Sequence, residues 1–559
     1  MTTLDPPFSP PFGPPFGPPL GTPFGPPLGP PLAPSPPGPA SREPTRAQVV
    51  PAAVLLFAIM AAHALLETAR DALFLTRLGP DRLAWAYIVI AVAALGTVAA
   101  VRHWSRVPDP RRLLVGFLGF AAIGTAVLGA TLSLAPSIVF VLYVWTGLIA
   151  TLVVPAFWIV IDRSLRIADA KRSFAAIAAG GGLGALAGSA LAATLGGLVD
   201  ARHLVTVGAG VFVVASIAAV VLAPAPIAEA PRRAPRAQTE ADAAKLRSHR
   251  HVRLLLLLGI ISTVALTLGD LMFKRLLAER IPSEQLAVVF GATYTGLNVL
   301  GLVVQVAITP RLLDRLGVGG ALTVLPAVVL ASTLGFVVTG AAIAVIALKL
   351  GDGAFRHSVH RVASEILYLP LAASIRDAAK PVVDVIGQRG GQALAAIMTL
   401  AVATNAGGTR VLGLMTAAAI VIWLLAIALT RSSYIQQFRD TLDAGEIQRD
   451  VRIPTLDADS IAMLTSSLSS PDEHEALAAL DLLGRRGDRI PALVLYHPSA
   501  IIVRRALSLI EGNVRPDIVR VLGQLTAHPD PQIRAAALAA SGRAGCHAGP
   551  LEAALADPE

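Results

Sequence analysis

The sequence predicts an all-α, polytopic membrane protein: about twelve transmembrane helices in two six-helix halves, followed by a C-terminal α-solenoid. Three observations predict it. Apolar runs of about 20 residues or more recur between Ala47 and Arg431, each long enough at about 1.5 Å per residue to cross a hydrocarbon core of about 30 Å. Basic residues gather in alternate short loops between the runs. The second set of runs repeats short motifs of the first.

Composition agrees. Charged residues are 15% of the 559 and hydrophobic residues 54%, where a soluble domain carries about 25% charged residues. Mean hydropathy is +0.66. The formal charge of +9 lies mostly in the short loops, so it reads as the positive-inside pattern and not as a nucleic-acid surface; no nucleic-acid partner is expected. The one cysteine, Cys546, excludes an intrachain disulfide framework and a Cys-based metal cluster. Only five residues are lysine, and four of them, Lys171, Lys274, Lys349 and Lys380, fall in or at membrane helices. A compact point charge kept as Lys in an Arg-rich chain points to a specific need.

Residues 1–46 are a Pro-rich tail in which Gly13, Gly17, Gly21, Gly25 and Gly29 recur every fourth position. Collagen needs every third, so an extended, disordered tail is expected. No charged n-region followed by an apolar h-region opens the chain, so no cleaved leader is expected. The first half occupies 47–224, with helices near 48–76, 82–103, 111–134, 137–163, 171–198 and 203–223. A basic linker, 225–251, leads to the second half, 252–431, with helices near 252–279, 284–309, 318–341, 342–368, 379–404 and 410–431. A linker, 432–455, and helical repeats, 456–559, complete the chain.

Loops after even helices hold Arg102, Arg106, Arg111 and Arg112, then Arg163, Arg166, Lys171 and Arg172, then Arg311 with Arg315 and Arg376 with Lys380. Loops after odd helices hold few basic residues, such as Arg82, Arg202 and Arg410. This places both termini in the cytoplasm. Heavy use of Ala, Arg, Gly and Pro points to a GC-rich bacterial genome and hence to the inner (plasma) membrane.

The halves repeat. Asp71-Ala-Leu-Phe74 matches Asp270-Leu-Met-Phe273, and Lys171, Ile177, Gly181 and Gly182 match Lys380, Ile386, Gly390 and Gly391 at a constant offset. Six helices, a basic linker and six similar helices form a parallel duplication, which resembles the major facilitator architecture with its site between the halves. In the last segment Pro471-Asp472, His497-Pro498 and His528-Pro529-Asp530 each precede an Ala/Leu-rich helix, expected at Glu475–Leu483, Val503–Ile510 and Ile533–Ser541. That spacing resembles HEAT-type hairpins, a surface for a protein partner.

Ionisable groups inside apolar spans cost about 2.5–3.5 kcal/mol each on insertion scales and need a reason. Helix 1 carries Glu67, Arg70 and Asp71 on one face. They either neutralise one another or make Arg70 a cavity cation. Helix 7 carries Asp270 and Lys274 at i,i+4, either near the outer interface, where snorkelling makes them cheap, or in the site. Helix 10 carries Lys349, Asp352, Arg356 and His360 at spacings of three, four and four, read as one polar stripe that faces a cavity or an interface. His357, Arg361 and Glu365 form a second stripe suited to structural ion pairing, and helix 11 adds Asp384 and Arg389. No third ligand joins His357 and His360, so no metal is expected, nor any cofactor. Gly180, Gly184 and Gly188 make a small-residue stripe for close helix packing. No Walker A sequence and no nucleophile–base pair occur, so an enzyme is not expected.

The stretch Leu66-Glu67-Thr68-Ala69-Arg70-Asp71-Ala72-Leu73 resembles the nucleotide transporter (ATP/ADP antiporter) family of plastids and obligate intracellular bacteria, whose pattern is roughly Leu-Arg-x-x-Lys-Asp-x-Leu. Phe157-Trp158, Ala170-Lys171-Arg172-Ser173-Phe174 and Ser364-Glu365-Ile366-Leu367-Tyr368-Leu369-Pro370, with Arg376, Lys380 and Asp384, are similar too, and the likeness spreads over roughly residues 50–450. The family's Arg falls on Glu67 and its Lys on Arg70. The resemblance implies a secondary carrier in the lipid bilayer for a small anionic solute such as a nucleotide. Arg70, Lys274, Lys349 and Arg356 would meet the solute, with Glu67, Asp71, Asp270, Asp352 and Asp384 for coupling or charge pairing. The other readings are a carrier-derived scaffold or sensor acting through its repeats, and a major facilitator carrier for an unrelated solute.

Overall fold

The computed structural model describes residues 46–104, 109–164, 167–224, 248–371, 373–403, 408–443, 464–468, 473–484, 491–510 and 515–545. The Pro-rich tail up to residue 45, most of the basic linker (225–247) and residues 444–463 and 546–559, Cys546 among them, lie outside the described residues. All regular structure among the described residues is helical.

The first half comprises α1 (Arg46–Arg77), α2 (Leu83–Trp104), α3 (Pro110–Thr131), α4 (Ser137–Ser164), α5 (Ile167–Gly196) and α6 (Ala201–Leu222). The starts of α3 and α6 have local causes: Asp109 and Asp200 each accept a hydrogen bond from a backbone N–H of the first turn. In the second half α7 (Arg250–Arg280) and α8 (Leu286–Val303) are followed by a π turn, Val304–Ile308, and α9 (Thr309–Thr339). The next crossing is α10 (Ala342–Phe355), a π turn Arg356–His360 and α11 (Arg361–Ile366); the next is α12 (Ala373–Val382), a π turn Val383–Gly390 and α13 (Gly391–Ala403). The last is α14 (Gly408–Asp443).

Eight helical stretches are apolar and long enough to cross a membrane on length and composition. One of them, Ser283–Thr339, runs 57 residues and is broken at Gly317, whose φ of 67° and ψ of −177° require glycine, so it holds two crossings. With α2 and the two crossings interrupted by π turns, the bundle reaches the twelve helices that the sequence predicts.

Several crossings differ from expectation. The eighth crossing continues past residue 309 to the break at Gly317, so Arg311 and Arg315 lie on helix and not in a loop. Pro310, which has no N–H to give, sits directly after the π turn and is accommodated by it. Crossings ten and eleven are interrupted, not continuous. The last crossing runs twelve residues beyond Arg431, into the expected linker.

Within the first half α1 packs on α5 and α6, and α3 on α6; in the second, α7 and α9 pack on α14. Across the halves α5 meets α8, and α2 meets α13 with the π turn before it. The close approach is visible at Gly291 of α8, where a Cβ would lie 2.5 Å from the backbone N of Ala193 on α5. Outward faces carry exposed apolar residues such as Ile123, Val221, Val306 and Leu425, as lipid requires. This is the arrangement of two six-helix halves that the sequence predicts.

Beyond α14 the described residues form α15 (Glu473–Gly484), a 3-10 turn (Ala492–Tyr496), α16 (Ala500–Ser508), α17 (Pro516–Leu525) and α18 (Pro531–Arg543) around their own apolar core. His497 Nδ1 accepts the backbone N–H of Ser499, and His528 Nδ1 that of Asp530, at 3.1 and 3.0 Å. The two His-Pro motifs therefore start α16 and α18 with the same local bond.

Candidate functional site

The mid-helix charges of α1, α7 and α10 converge. Lys274 is 3% exposed and lies 3.2 Å from Asp71 and 3.1 Å from Asp270. Asp71 is fully buried, 3.6 Å from Arg70 and 2.6 Å from the Tyr294 hydroxyl that donates to it. Asp270 takes Lys349 at 2.5 Å and the Tyr87 hydroxyl at 2.5 Å. Arg70 pairs with Glu67 at 3.2 Å and donates to Thr146 Oγ1 at 2.9 Å. Lys274 also donates to the hydroxyls of Tyr87 and Tyr143, at 3.1 and 2.9 Å. Aromatic faces supply further attraction: Arg70 lies over the Tyr143 ring at 4.8 Å, and Lys349 stands 5.8 Å from the ring centres of Phe273 and Tyr294.

Three cations and three carboxylates thus share one buried cluster, and charge balances. Its contacts cross the halves. Asp71 of α1 meets Lys274 of α7 and Tyr294 of α8, while Tyr87 of α2 meets Asp270 of α7. Arg275 extends the seam to Asp81 at 3.2 Å. Of the two placements open to Asp270 and Lys274, the structure has the buried one: Lys274 is sealed among phenols and carboxylates, where burial is offset by two ion pairs and two hydroxyl bonds.

The cluster sits about 10–15 Å from the C-terminal ends of α1 and α7, on a rise of about 1.5 Å per residue. Toward the other end of α7, between α7, α10–α11 and α12–α13, lies a cavity of about 270 Å³. Ser262, Thr267, Arg356, His360, Asp384 and Gln388 are among its lining residues. Arg356 grips Asp352 through two bonds, 2.7 and 2.8 Å, while 37% of its side chain stays exposed. Arg361 pairs with Glu365 at 2.7 Å and lies 3.9 Å from Asp384; Lys380 pairs with Glu365 at 2.6 Å.

The single stripe expected on helix 10 divides. Lys349 turns to Asp270 of α7, while Arg356, which holds Asp352, and His360, edge-on against Trp423 of α14 at 5.3 Å between ring centres, both line the cavity. Sequence reasoning missed Tyr87, Tyr143, Tyr294 and Thr146. A signal existed, since the chain has six tyrosines and three of them interrupt apolar spans. No group of three His, Cys, Asp or Glu side chains suited to a metal occurs among the described residues.

No known protein family matches the sequence, and no curated protein matches it. Solved structures do match. The crystal structure of the nucleoside transporter NupG aligns with a TM-score of 0.55 at 13% identity, over 68% of this chain and 98% of that one. A point mutant of the same transporter gives 0.54 at 13%, over 68% and 99%. An inward-facing, unoccupied bacterial homolog to the human lysosomal transporter Spinster gives 0.49 at 13%, over 71% and 99%. At this identity NupG shares the fold of the membrane domain.

Proposed function

We propose that this chain is a secondary transporter that moves a small organic anion by alternating access, with the charge cluster as the closed gate at one end. The observation that carries this reading is the placement of buried ionic contacts between the halves at one end and a polar cavity at the other. Rocking the halves must separate Asp71 from Lys274 and Tyr87 from Asp270. An anion arriving from the cavity gives Lys349 and Arg356 a substitute partner, so the carboxylates are released without stranding a cation. Arg70 and Lys274 act deeper, holding the gate until that exchange. Asp352 and Asp384 set the charge of the cavity wall.

The resemblance of residues 66–73 to the ATP/ADP antiporters supports nucleotides as one member of the anion class. The basic loops support an inner-membrane orientation with both termini cytoplasmic, which puts the gate on the outer side. Uptake of labelled ATP, ADP and phosphate into proteoliposomes tests the transport reading. Asp81→Cys with Arg275→Cys, in a Cys546→Ser background, tests the gate: a cross-link across that pair should stop uptake, and reduction should restore it. Uptake that continues while cross-linked would remove the gate from this end.

A second reading, a carrier-derived scaffold whose C-terminal helices stack as HEAT-like repeats and bind a protein, is favoured by the exposed Leu493 and Tyr496 on one turn of that segment. Transport by a chain ended after residue 443 would leave those helices a separate role.

A further inference from the structure

We propose that Glu67 is the proton-carrying carboxylate of this transporter, so that one proton travels with one singly charged anion and the cycle is electroneutral. The inference rests on the transport reading above and narrows its solute class.

Arg70, Lys274 and Lys349 balance Glu67, Asp71 and Asp270. A buried cluster that is already neutral cannot take in an anion without leaving a net charge in low dielectric, which is costly. One carboxylate must therefore lose its charge when the anion enters. Asp71 and Asp270 are poorly placed to do so. Each faces two cations and accepts a phenol, so a proton on either leaves two cations short of a partner.

Glu67 differs on every count. Its one ion pair is with Arg70, its side chain is 39% exposed although it sits mid-helix, and Arg70 keeps Asp71 and Thr146 when Glu67 is neutral. Lys274, Lys349 and His357, all of the second half, act on it electrostatically, so its 39% exposure lies on the side of α1 that faces that half. Protonated Glu67 leaves the cluster one positive charge in excess, which matches one negative charge on the solute. A doubly or triply charged solute would exceed it.

The groups facing Glu67 are cations and histidines. His63 lies one turn earlier on α1, and Lys274 of α7, Lys349 of α10 and His357 of the following π turn are within electrostatic range. From α4, Tyr143 and Thr146 engage Arg70, and from α8, Tyr294 engages Asp71. Among the described residues α5 has no titratable side chain at this level, and Arg202 and His203 of α6 sit at its first turn, away from Gly208, which packs on Leu66. The step forms no covalent bond to the solute. Water on one side gives a proton to a Glu67 oxygen, the loaded site closes neutral, and the proton returns to water on the other side as the anion leaves.

The test uses the full chain in proteoliposomes with labelled lactate, phosphate and ADP as probes. With the outside one pH unit more acidic, the wild type should accumulate a singly charged probe about tenfold, the ratio set by one coupled proton. An imposed potassium diffusion potential should leave that ratio unchanged. Glu67→Gln, which still offers an oxygen to Arg70, should lower the ratio to about one while exchange of labelled for unlabelled probe stays measurable. His63→Gln and His357→Gln should keep the tenfold ratio. Wild-type uptake that ignores the pH gradient, uptake driven by the potential, a coupled Glu67→Gln protein, or coupling lost in either histidine variant would overturn the inference and leave the transport reading standing. A wild type that carries none of the three probes would overturn both.

Discussion

In the first half the α5 glycines stand against the α1 backbone over three successive turns. A Cβ on Gly180 would lie 2.5 Å from the Ala53 carbonyl oxygen, and Cβ atoms on Gly184 and Gly188 would approach the Phe57 and Ala61 oxygens closer still. In the second half the corresponding helix is α12–α13, and it departs from that pattern. A π turn divides it, and beside that turn Gly259 of α7 is in ordinary van der Waals contact, Val383 lying 3.5 Å from a Cβ, while the close backbone approach recurs only past the turn, at Gly391, where a Cβ would lie 2.8 Å from the Ile260 carbonyl oxygen. The cavity lies where this contact is loose. All three π turns among the described residues belong to the second half. The two halves have therefore diverged in packing: the first meets backbone to backbone over three turns, and the second at one glycine, Gly391, beside interrupted helices. Interrupted helices leave backbone groups that need new partners, and these are tolerated in membranes where protein or a watery cavity supplies them.

That contrast can be broken at several points. Lys274→Ala should have the largest effect, because it leaves the buried seam between the halves one cation short; a loss of about 3–5 kcal/mol is expected, read as poor expression and early melting in detergent. Gly184→Ala should cost about 3 kcal/mol, since the new methyl meets backbone and has nowhere to move. A Gly184→Ala protein that melts like the wild type would end the claim of a locked first half. Gly259→Ala, at the less crowded contact beside the second-half π turn, should be neutral or stabilising by up to about 1 kcal/mol, as helical Gly→Ala changes are where space permits. Lys380→Ala breaks a half-exposed pair at the cavity and should change stability by about 0–1 kcal/mol, a shift to be followed in the same melts. Smallest of all, ending the chain after Asp443 should leave the bundle's melting temperature unchanged, because the C-terminal helices have their own core.

The architecture was legible because lipid simplifies the code. Apolar length gives crossings, and the Asp71/Asp270 match points to two similar halves. The small-residue stripe at Gly180, Gly184 and Gly188 read correctly as packing, since residues four apart share a face whatever the partner. The π turns did not read. A surplus residue in a helix leaves no compositional mark, and Pro310 and Pro381 show only where strain enters. The charged residues of the cluster were found one by one, as expensive groups, but their pairing was not. Which cation meets which carboxylate depends on how two halves dock across some two hundred residues of chain, and helical spacing carries no information about that. Tyr87, Tyr143 and Tyr294 were passed over because a tyrosine in an apolar run passes for an aromatic anchor until its hydroxyl is seen to point inward.

Lys274 sits among more acceptors than it has protons. An ammonium carries three N–H bonds, and four oxygens stand within reach: Asp71 at 3.2 Å, Asp270 at 3.1 Å, and the hydroxyls of Tyr87 and Tyr143 at 3.1 and 2.9 Å. One oxygen is always waiting, and Asp71 Oδ1, buried without a formal hydrogen bond, is the one left out in this arrangement. The closed seam is therefore a rotor with interchangeable seats. Withdrawing one carboxylate costs the rotor a seat it can refill by a small turn, so the halves can begin to separate oxygen by oxygen instead of tearing every bond at once.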